Sequence, residues 1–248
     1  GIVNHLSIIA GVTFGIEETS ILEACFDNET IPIEDIVIED INYCKIFING
    51  NWIGIHKDPY YFSKLMKLLK RNSFINILTS ISWNISNNEI HIFTDEGRLY
   101  RPLLVLSNVS DKWTNNSYPS NPLIQGEIDK LSNLEKLVHG HLYFSDNTLD
   151  KEIYKKLNIY DDNYYKDELN NIKKDFYDEN QNINKEKLLN YLENEQCYIE
   201  YIDSSETENY FIAKDAYNID KIDYTHCEIH QSLILSATTM HIPFPENS

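Results

Sequence analysis

The sequence lacks the short motifs that identify most nucleotide-binding and metal sites. It has no glycine-rich phosphate loop of the G-x-G-x-x-G or G-K-S/T kind, and no H-E-x-x-H zinc motif. Its four cysteines, at positions 25, 44, 197 and 227, form no C-x-x-C pair. This spacing argues against a zinc ribbon and against a disulfide framework, and it favours reduced thiols inside a cell.

Long apolar runs and basic residues are also scarce. No stretch of about 18 apolar residues is present, so the sequence predicts no membrane-spanning segment, and it shows no charged-then-apolar signal peptide. Acids outnumber bases by 39 to 21, which gives a net charge of −18. Affinity for nucleic acid comes largely from Lys and Arg, so such an acidic surface is not expected to bind nucleic-acid phosphates by itself. It suits solubility or contact with a basic partner.

The composition is that of a folded protein. A chain of 248 residues with 42% hydrophobic and 12% aromatic residues can bury a core in one large domain or in two to three small ones. Gly and Pro are few, whereas Asn and Ile are used heavily, which reflects an AT-rich genome. The chain starts without Met and stops in an apolar segment with prolines, so we expect a piece of something longer.

Residues 43–56 carry the strongest local signal. Two strand-like runs flank Asn49-Gly50, a pair that takes the positive φ values of a tight turn, so the pattern predicts a β-hairpin. Asp58 and Pro59 then predict the start of a helix. The apolar residues of this helix repeat at helical spacing: Phe62, Leu65, Met66 and Leu69.

Lys70 and Arg71 end this predicted helix. Cations favour a helix C-terminus because of the helix dipole, so we interpret the two bases as a solvated helix end. The alternative is a nucleic-acid-binding patch.

The remaining patterns predict an α+β fold. Residues 1–26 indicate a strand near Ile8–Ala10, a turn and a helix around Ile21, and 81–93 indicate a second hairpin. Residues 107–134 are typical of a linker, and 149–194 are acidic and helical in pattern. Three further predictions are a strand at 197–202, a turn at 203–208, and tyrosines 160, 164 and 165 as amphipathic cover.

His226, Cys227, Glu228 and His230 form the densest group of reactive side chains. On a strand, His226, Glu228 and His230 would share one face, which makes a zinc hydrolase conceivable. However, strand neighbours two apart are roughly 6.5–7 Å apart, which is poor metal geometry. Cys227 would face away from both histidines, so it is also a poor nucleophile. The favoured interpretation is a polar strand inside a larger assembly.

Six further motifs are spread along the chain: G-I-V-N-H-L-S (1–7), F-I-N-G-N-W-I-G-I-H-K-D-P (47–59), I-F-T-D-E-G-R-L-Y-R-P-L (92–103), E-Y-I-D (200–203), T-H-C-E-I-H (225–230) and I-P-F-P (242–245). These motifs resemble the second-largest subunit of DNA-directed RNA polymerase, in its eukaryotic, archaeal and large-DNA-virus forms. Their order and approximate spacing follow the family over the whole chain. Residues 107–195 match poorly, Asn4 replaces a usual Lys, and Gln231 replaces a usual Pro.

The resemblance implies small hairpin-and-helix domains that lead into the first strands of a β-barrel. The implied domains are the end of the fork with a connection (1–42), a first external domain (43–106), a variable linker (107–134), a second external domain (135–215) and the start of the hybrid-binding domain (216–248). In the family the external domains lie on the outer face, away from DNA, and a net charge of −18 suits that position.

The resemblance carries no catalytic, cofactor-binding or metal-binding residue onto this chain. In the family, Mg²⁺ is held mainly by the largest subunit, and an Arg associated with the incoming nucleotide follows the equivalent of Ser248. The matching residues are interpreted as framework: Asn49, Gly50, Asp95, Gly97, Arg98, Arg101, Pro102, His226, Glu228, Pro243 and Pro245. Arg98 and Arg101 are expected to pair with acids or carbonyls inside the first external domain, and the last two prolines to fix an extended entry into the barrel.

The implied function is support of DNA-templated RNA synthesis, only inside the assembled polymerase. The implied partners are the largest subunit, the rest of the second-largest subunit and the other subunits. DNA and RNA would be reached only through the complex, and no membrane is involved. The implied location is intracellular: the nucleus of a eukaryote, or the cytoplasm or virion for a virus. The alternative is a non-catalytic acidic interaction module of polymerase ancestry.

Overall fold

The computed structural model describes residues 7–37, 43–106, 184–214 and 224–241, together with 137–138, 173–174 and 176. The helices are α1 (Glu18–Phe26), α2 (Pro59–Arg71), α3 (Lys185–Glu195) and the short α4 (Ser204–Thr207). The strands are β1 (Gly11–Val12), β2 (Ile31–Pro32), β3 (Cys44–Ile48), β4 (Asn51–His56), β5 (Ser80–Asn84), β6 (Glu89–Phe93), β7 (Leu99–Val105), β8 (Ile199–Asp203), β9 (Ile212–Ala213) and β10 (His226–Cys227). Short 3-10 helices span Ile33–Asp35, Gln231–Ile234 and Thr239–His241. None of the helices in these ranges has the length and apolarity to cross a membrane.

These elements confirm the predicted α+β class. The described strands form two open sheets and no closed barrel. The hairpin sheet has the order β2-β4-β3-β6-β5, with β3 and β6 parallel and its other pairs antiparallel. Both predicted hairpins are confirmed, and Asn49 and Gly50 turn the first with φ values of 46° and 84°.

Helix α2 covers the inner face of the hairpin sheet. It begins as predicted, because the Asp58 side chain accepts a hydrogen bond from the Tyr61 amide and Pro59 occupies the first turn. The core under it combines residues of four segments, among them Ile21 and Cys25 of α1, Ile46 and Ile48 of β3, Phe62, Leu65, Met66 and Leu69 of α2, and Leu188 and Leu192 of α3. Residues far apart in the chain therefore share one core.

The second sheet is built around β7. β7 pairs antiparallel with β8 along one edge, and along the other edge it pairs with β1 near its start and with β10 near its end. β9 adds to β10 in parallel. This β7 sheet thus joins strands from the beginning, middle and end of the chain. The predicted domain boundaries stay predictions, and the strands of the β7 sheet come from four of the predicted segments.

Two local predictions differ from the structure. The first strand lies at Gly11–Val12 instead of Ile8–Ala10, because its pairing with β7 sets its position. The turn predicted at 203–208 contains helix α4 (Ser204–Thr207), since the Asp203 carboxylate accepts a hydrogen bond from the Glu206 amide and starts a helix. The predictions for 107–134, for the tyrosines at 160–165 and for most of 149–194 lie outside the described residues.

Gly54 provides a test of the hairpin sheet. A Cβ atom at Gly54 would overlap the carbonyl oxygen of Ile31 in the neighbouring strand, whereas at Gly15 it would touch only Glu96 atoms at 3.9 Å. We expect Gly54→Ala to lower the free energy of unfolding by about 1–3 kcal/mol, because backbone atoms must move. Gly15→Ala, as the matched control, should stay within about 0.5 kcal/mol of the parent in denaturant titrations. Equal effects would contradict the close approach of β2 to β4.

Candidate functional site

The last turn of helix α2 contains a buried lysine. Lys70 is 1% exposed, and its Nζ lies 2.7 Å from Glu206 Oε2 and 3.5 Å from Glu200 Oε1. Burial disfavours the charge on the ammonium, but the two carboxylates outweigh this effect and raise the pKa of Lys70. The lysine therefore stays charged inside the fold and ties α2 to β8 and α4.

Glu200, in the E-Y-I-D motif of β8, is the shared acceptor of this region. Its Oε2 lies 2.8 Å from Arg71 Nε and 2.9 Å from His226 Nε2. Burial alone would raise the pKa of the Glu200 carboxyl, but Arg71, Lys70 and the hydrogen bond from His226 hold it well below its ordinary range. One ionised carboxylate thus links α2, β8 and β10.

The His226 ring is enclosed by polar and aromatic side chains. Its Nδ1 lies 3.0 Å from Thr225 Oγ1, and its ring centroid is 4.2 Å from that of Tyr210. Burial lowers the pKa of His226, although Glu200 opposes the shift, so the ring is neutral at pH 7 and donates its Nε2–H to the carboxylate. Lys67 Nζ lies 4.5 Å from the Tyr210 ring centroid, and burial lowers the pKa of Lys67 to about 8.

Glu206 both pairs with Lys70 and protects a sheet edge. Its Oε1 accepts a hydrogen bond from the Ile81 amide at 2.9 Å, and Asn209 Oδ1 accepts one from the Trp83 amide at 2.9 Å. These acceptors satisfy amides on the outer edge of β5, which would otherwise be free to pair with another chain. Burial raises the pKa of Glu206 above its ordinary value, although Lys70 opposes the shift.

We refer to Lys70, Arg71, Glu200, Glu206 and His226 as the buried charge cluster. Two cations face two carboxylates, with a neutral imidazole beside them. The side chains other than Arg71 are at most 1% exposed, and Arg71 is 14% exposed. Because substrates cannot reach these groups, the cluster is suited to holding segments together and not to acid–base chemistry.

Asp203, at the end of β8, makes a second set of contacts between distant segments. Its Oδ1 accepts a hydrogen bond from Ser80 Oγ at 2.8 Å, and its Oδ2 lies 2.9 Å from Arg98 Nη1. Arg98 also donates to the Leu78 carbonyl at 3.0 Å and pairs with Asp95 at 2.9 Å. Asp95 and the Leu78 carbonyl lie inside the first external domain, where partners were predicted for Arg98, whereas Asp203 lies outside the predicted boundaries of that domain.

Arg101 makes the third link between motifs. Its Nη2 lies 2.8 Å from Glu228 Oε1 in the T-H-C-E-I-H motif. Arg101 therefore pairs with an acid, as expected. However, Glu228 lies beyond the predicted first external domain, where this partner was expected. Three motifs that are distant in sequence, at 92–103, 200–203 and 225–230, meet around β7 through charged side chains.

The predicted common face of His226, Glu228 and His230 is wrong. Strand β10 ends at Cys227, so the three side chains diverge: His226 meets Glu200, Glu228 meets Arg101, and His230 accepts from the Ser232 amide at 3.1 Å. Within the described ranges, no three His, Cys, Asp or Glu side chains are grouped so that they could hold a metal ion. The zinc-hydrolase interpretation thus loses its ligand set.

The nucleophile interpretation of Cys227 meets a similar obstacle. The Cys227 side chain is 1% exposed, and its Sγ lies 3.3 Å from the Glu228 carbonyl oxygen. The imidazole of His226 is already hydrogen-bonded to Glu200. No accessible thiol–imidazole pair results.

The other framework residues lie in turns and strands. Asn49 Oδ1 accepts from the Thr94 amide at 2.8 Å, which closes the first hairpin onto the end of β6. Gly97 has a φ of 82° in the turn before β7, and Pro102 lies opposite Tyr201 of β8. Pro243 and Pro245 lie outside the described residues.

The predicted solvated helix end at Lys70 and Arg71 is wrong, and the nucleic-acid patch fails for the same reason. Both side chains point into the protein and meet Glu200. The helical spacing contained the signal, since Lys70 is four residues after Met66 and so lies on the buried face of α2. The acidic partners of Lys70 lie 130 or more residues later in the chain, so the local sequence could not predict them.

Removing one charge from the buried charge cluster should lower the free energy of unfolding substantially. We expect Lys70→Met to lower the free energy of unfolding by about 3–5 kcal/mol, because Glu200 and Glu206 lose their buried partner. The control Lys64→Met, on the same helix, breaks a partly exposed pair with Glu193 and should cost at most about 1 kcal/mol. Adding Glu206→Gln to Lys70→Met should recover part of the loss. Similar costs for the two single variants would contradict a charged Lys70 in the interior.

His226 predicts a pH dependence of stability. Its pKa is below the ordinary 6.5 in the folded state, so the unfolded chain binds the proton more readily, and the stability that neutral His226 provides is lost as pH falls below 6.5. The free-energy difference between the parent and His226→Gln should therefore narrow from pH 7.5 to 5.5, by no more than about 1.4 kcal/mol per pH unit. Denaturant titrations across this window measure it. If the difference in free energy of unfolding between the parent and His226→Gln instead widens as the pH falls, the His226 ring is protonated in the folded state.

Comparison with known proteins agrees with the motif geometry. The family model for RNA polymerase Rpb2, domain 4, matches residues 46–107, which include most of the hairpin sheet and β7. The chain is 28% identical over 273 residues to DNA-directed RNA polymerase II subunit RPB2 of Eremothecium gossypii and 26% identical over 259 residues to DNA-directed RNA polymerase II subunit 2 of Arabidopsis thaliana. It is 23% identical over 260 residues to DNA-directed RNA polymerase subunit Rpo2 of Saccharolobus shibatae.

Each of these matches covers 100% of this chain. They cover 19%, 17% and 18% of the Eremothecium, Arabidopsis and Saccharolobus proteins, respectively, so the chain spans about a fifth of the length of these relatives. The full-length matches include the motifs that meet around β7. The chain is therefore similar over its whole length to second-largest subunits of DNA-directed RNA polymerase.

Proposed function

We propose that the chain forms part of the second-largest subunit of a DNA-directed RNA polymerase and supports DNA-templated RNA synthesis only within the assembled enzyme. The observation that carries the proposal is the convergence of three family motifs on β7 through Arg98–Asp203, Arg101–Glu228 and the buried charge cluster. Charged side chains that pair with one another in the interior hold a framework together. They are not available to a substrate.

The reaction itself is proposed to lie elsewhere in the enzyme. Nucleotidyl transfer uses Mg²⁺ to stabilise the attacking and leaving oxygens in an in-line displacement. We expect this Mg²⁺ to be bound mainly by the largest subunit, as the resemblance to the polymerase family implies. No catalytic residue is assigned to this chain.

The proposal includes partners and a location. The partners are the largest subunit, the rest of the second-largest subunit and other polymerase subunits, with DNA and RNA reached through the complex. A net charge of −18 suits a position away from the nucleic acid. The location is intracellular, in the nucleus for a eukaryotic protein and in the cytoplasm or virion for a viral one.

Reconstitution with the largest subunit and the remaining segments of the second-largest subunit tests this function. We expect Glu200→Gln to reduce the yield of assembled enzyme, because Arg71 and Lys70 lose a buried counter-charge. Activity per assembled enzyme should stay within about twofold, as for a residue without a role in the transition state. Normal assembly with lost activity would contradict a framework role, and so would nucleotide incorporation by the chain alone.

An acidic interaction module of polymerase ancestry is the second candidate. The charge of −18 favours it, as does Asn4 in place of a basic residue. Co-purification separates the two, because a polymerase component binds the largest subunit or flanking segments, whereas a drifted module binds neither.

A further inference from the structure

An exposed apolar surface lies where β1 meets β7. Val12 and Leu99 are paired across the two strands, and they are 54% and 45% exposed. Phe14 lies two residues after Val12 and is 63% exposed. Adjacent large apolar side chains left in water are unfavourable, and such patches commonly mark a docking surface.

Hydrogen bonds from Thr13 hold this surface in place. Its Oγ1 donates to the Asp95 carbonyl at 3.1 Å and accepts from the Arg98 amide at 3.0 Å, while its carbonyl accepts from the Gly97 amide at 3.0 Å. Thr13 is 4% exposed and so lies beneath the surface that its neighbours present. A surface fixed in this way loses little conformational freedom on binding.

Acids border the apolar residues. Glu17 and Glu18 are exposed at the start of α1, where Asn49 donates to Glu18 Oε1 at 2.6 Å. Glu96 is exposed in the turn before β7, and its side chain lies beside Gly15. None of these three carboxylates has an ion pair with a base among the described residues, and residues 7–20 contain neither Lys nor Arg.

We infer that this surface, which we call the acidic-apolar patch, binds a basic amphipathic segment of another protein. The patch consists of Val12, Phe14, Leu99, Glu17, Glu18 and Glu96. The apolar side chains fit the apolar face of such a segment, and the carboxylates fit its Lys and Arg. Nucleic acid does not fit, because its phosphates would be repelled by the acids.

The position of the acids is not explained by helix stability alone. Glu17 and Glu18 favour the N-terminus of α1 through the helix dipole. Glu96, however, lies on a separate turn and serves no helix end, yet its side chain lies beside Gly15, the residue that follows Phe14. The inference goes beyond assembly into the polymerase, since it assigns a specific surface and the chemistry of its partner.

A labelled helical peptide with Lys and Arg on one face and Leu and Phe on the other is the probe. Binding to the full chain is measured by fluorescence anisotropy at an ionic strength of about 0.15 M, where screening over about 8 Å suppresses the effect of net charge. We expect the triple change Glu17→Gln, Glu18→Gln and Glu96→Gln to weaken binding about tenfold, as for loss of a local charge match. Phe14→Ser should weaken it to a similar extent.

Two matched controls distinguish the patch from the rest of the surface. Glu34→Gln, Asp35→Asn and Glu208→Gln remove the same charge at other exposed positions and should change affinity less than about twofold. Ile85→Ser, at a 72% exposed position, serves as the apolar control.

Three results would overturn the inference: equal weakening by both acid triples, tighter binding of an oligothymidylate than of the peptide, or a self-associated chain that Phe14→Ser converts to a monomer. The last would assign the patch to a second copy of this chain. All of the altered positions are exposed, and thermal melting of each variant checks that the fold is retained. Because the assay needs no polymerase assembly, its failure and failure of the proposed function are distinguishable.

Discussion

The burial of Lys70 is the constraint on which the rest of the structure depends. An ammonium group 1% exposed at the end of α2 requires carboxylates, and they come from β8 and α4, as many as 136 residues further along the chain. Removing charges from water costs several kcal/mol per ion, so the arrangement is stable only when each charge has its partner. Glu200 extends the requirement to Arg71 and His226. Helix α2 and strands β8 and β10 are therefore tied to one another.

β7 is the backbone counterpart of these charged contacts. It pairs with β8 along one edge and with β1 and β10 along the other, while Arg98 and Arg101 from the β7 segment reach Asp203 and Glu228. The family motifs therefore meet in space, although more than 90 residues separate the motif at 92–103 from the motif at 200–203. The apparently catalytic group of His, Cys and Glu does not converge on one site, because His226 and Glu228 are directed to different partners.

Local patterns predicted the hairpin sheet well and the charged interior poorly. Asn49-Gly50, Asp58-Pro59 and the apolar spacing of α2 act within a few residues, so their consequences could be read directly. The family resemblance supplied the common origin of the motifs but not their contacts. Lys70 was misjudged because its partners Glu200 and Glu206 are remote, and His230 because β10 ends at Cys227, which no local residue indicates.

Hydrogen exchange measured in increasing denaturant tests most directly whether the buried charges make α2 and the β7 sheet one unit. Amides of Leu69 in α2, Ile202 in β8 and Cys227 in β10 report on the three linked segments. We predict that their exchange converges on a single opening free energy as denaturant rises, because one segment cannot separate without exposing unpaired charges. Exchange of Ile202 and Cys227 through a low-energy opening that leaves Leu69 protected would contradict the coupling.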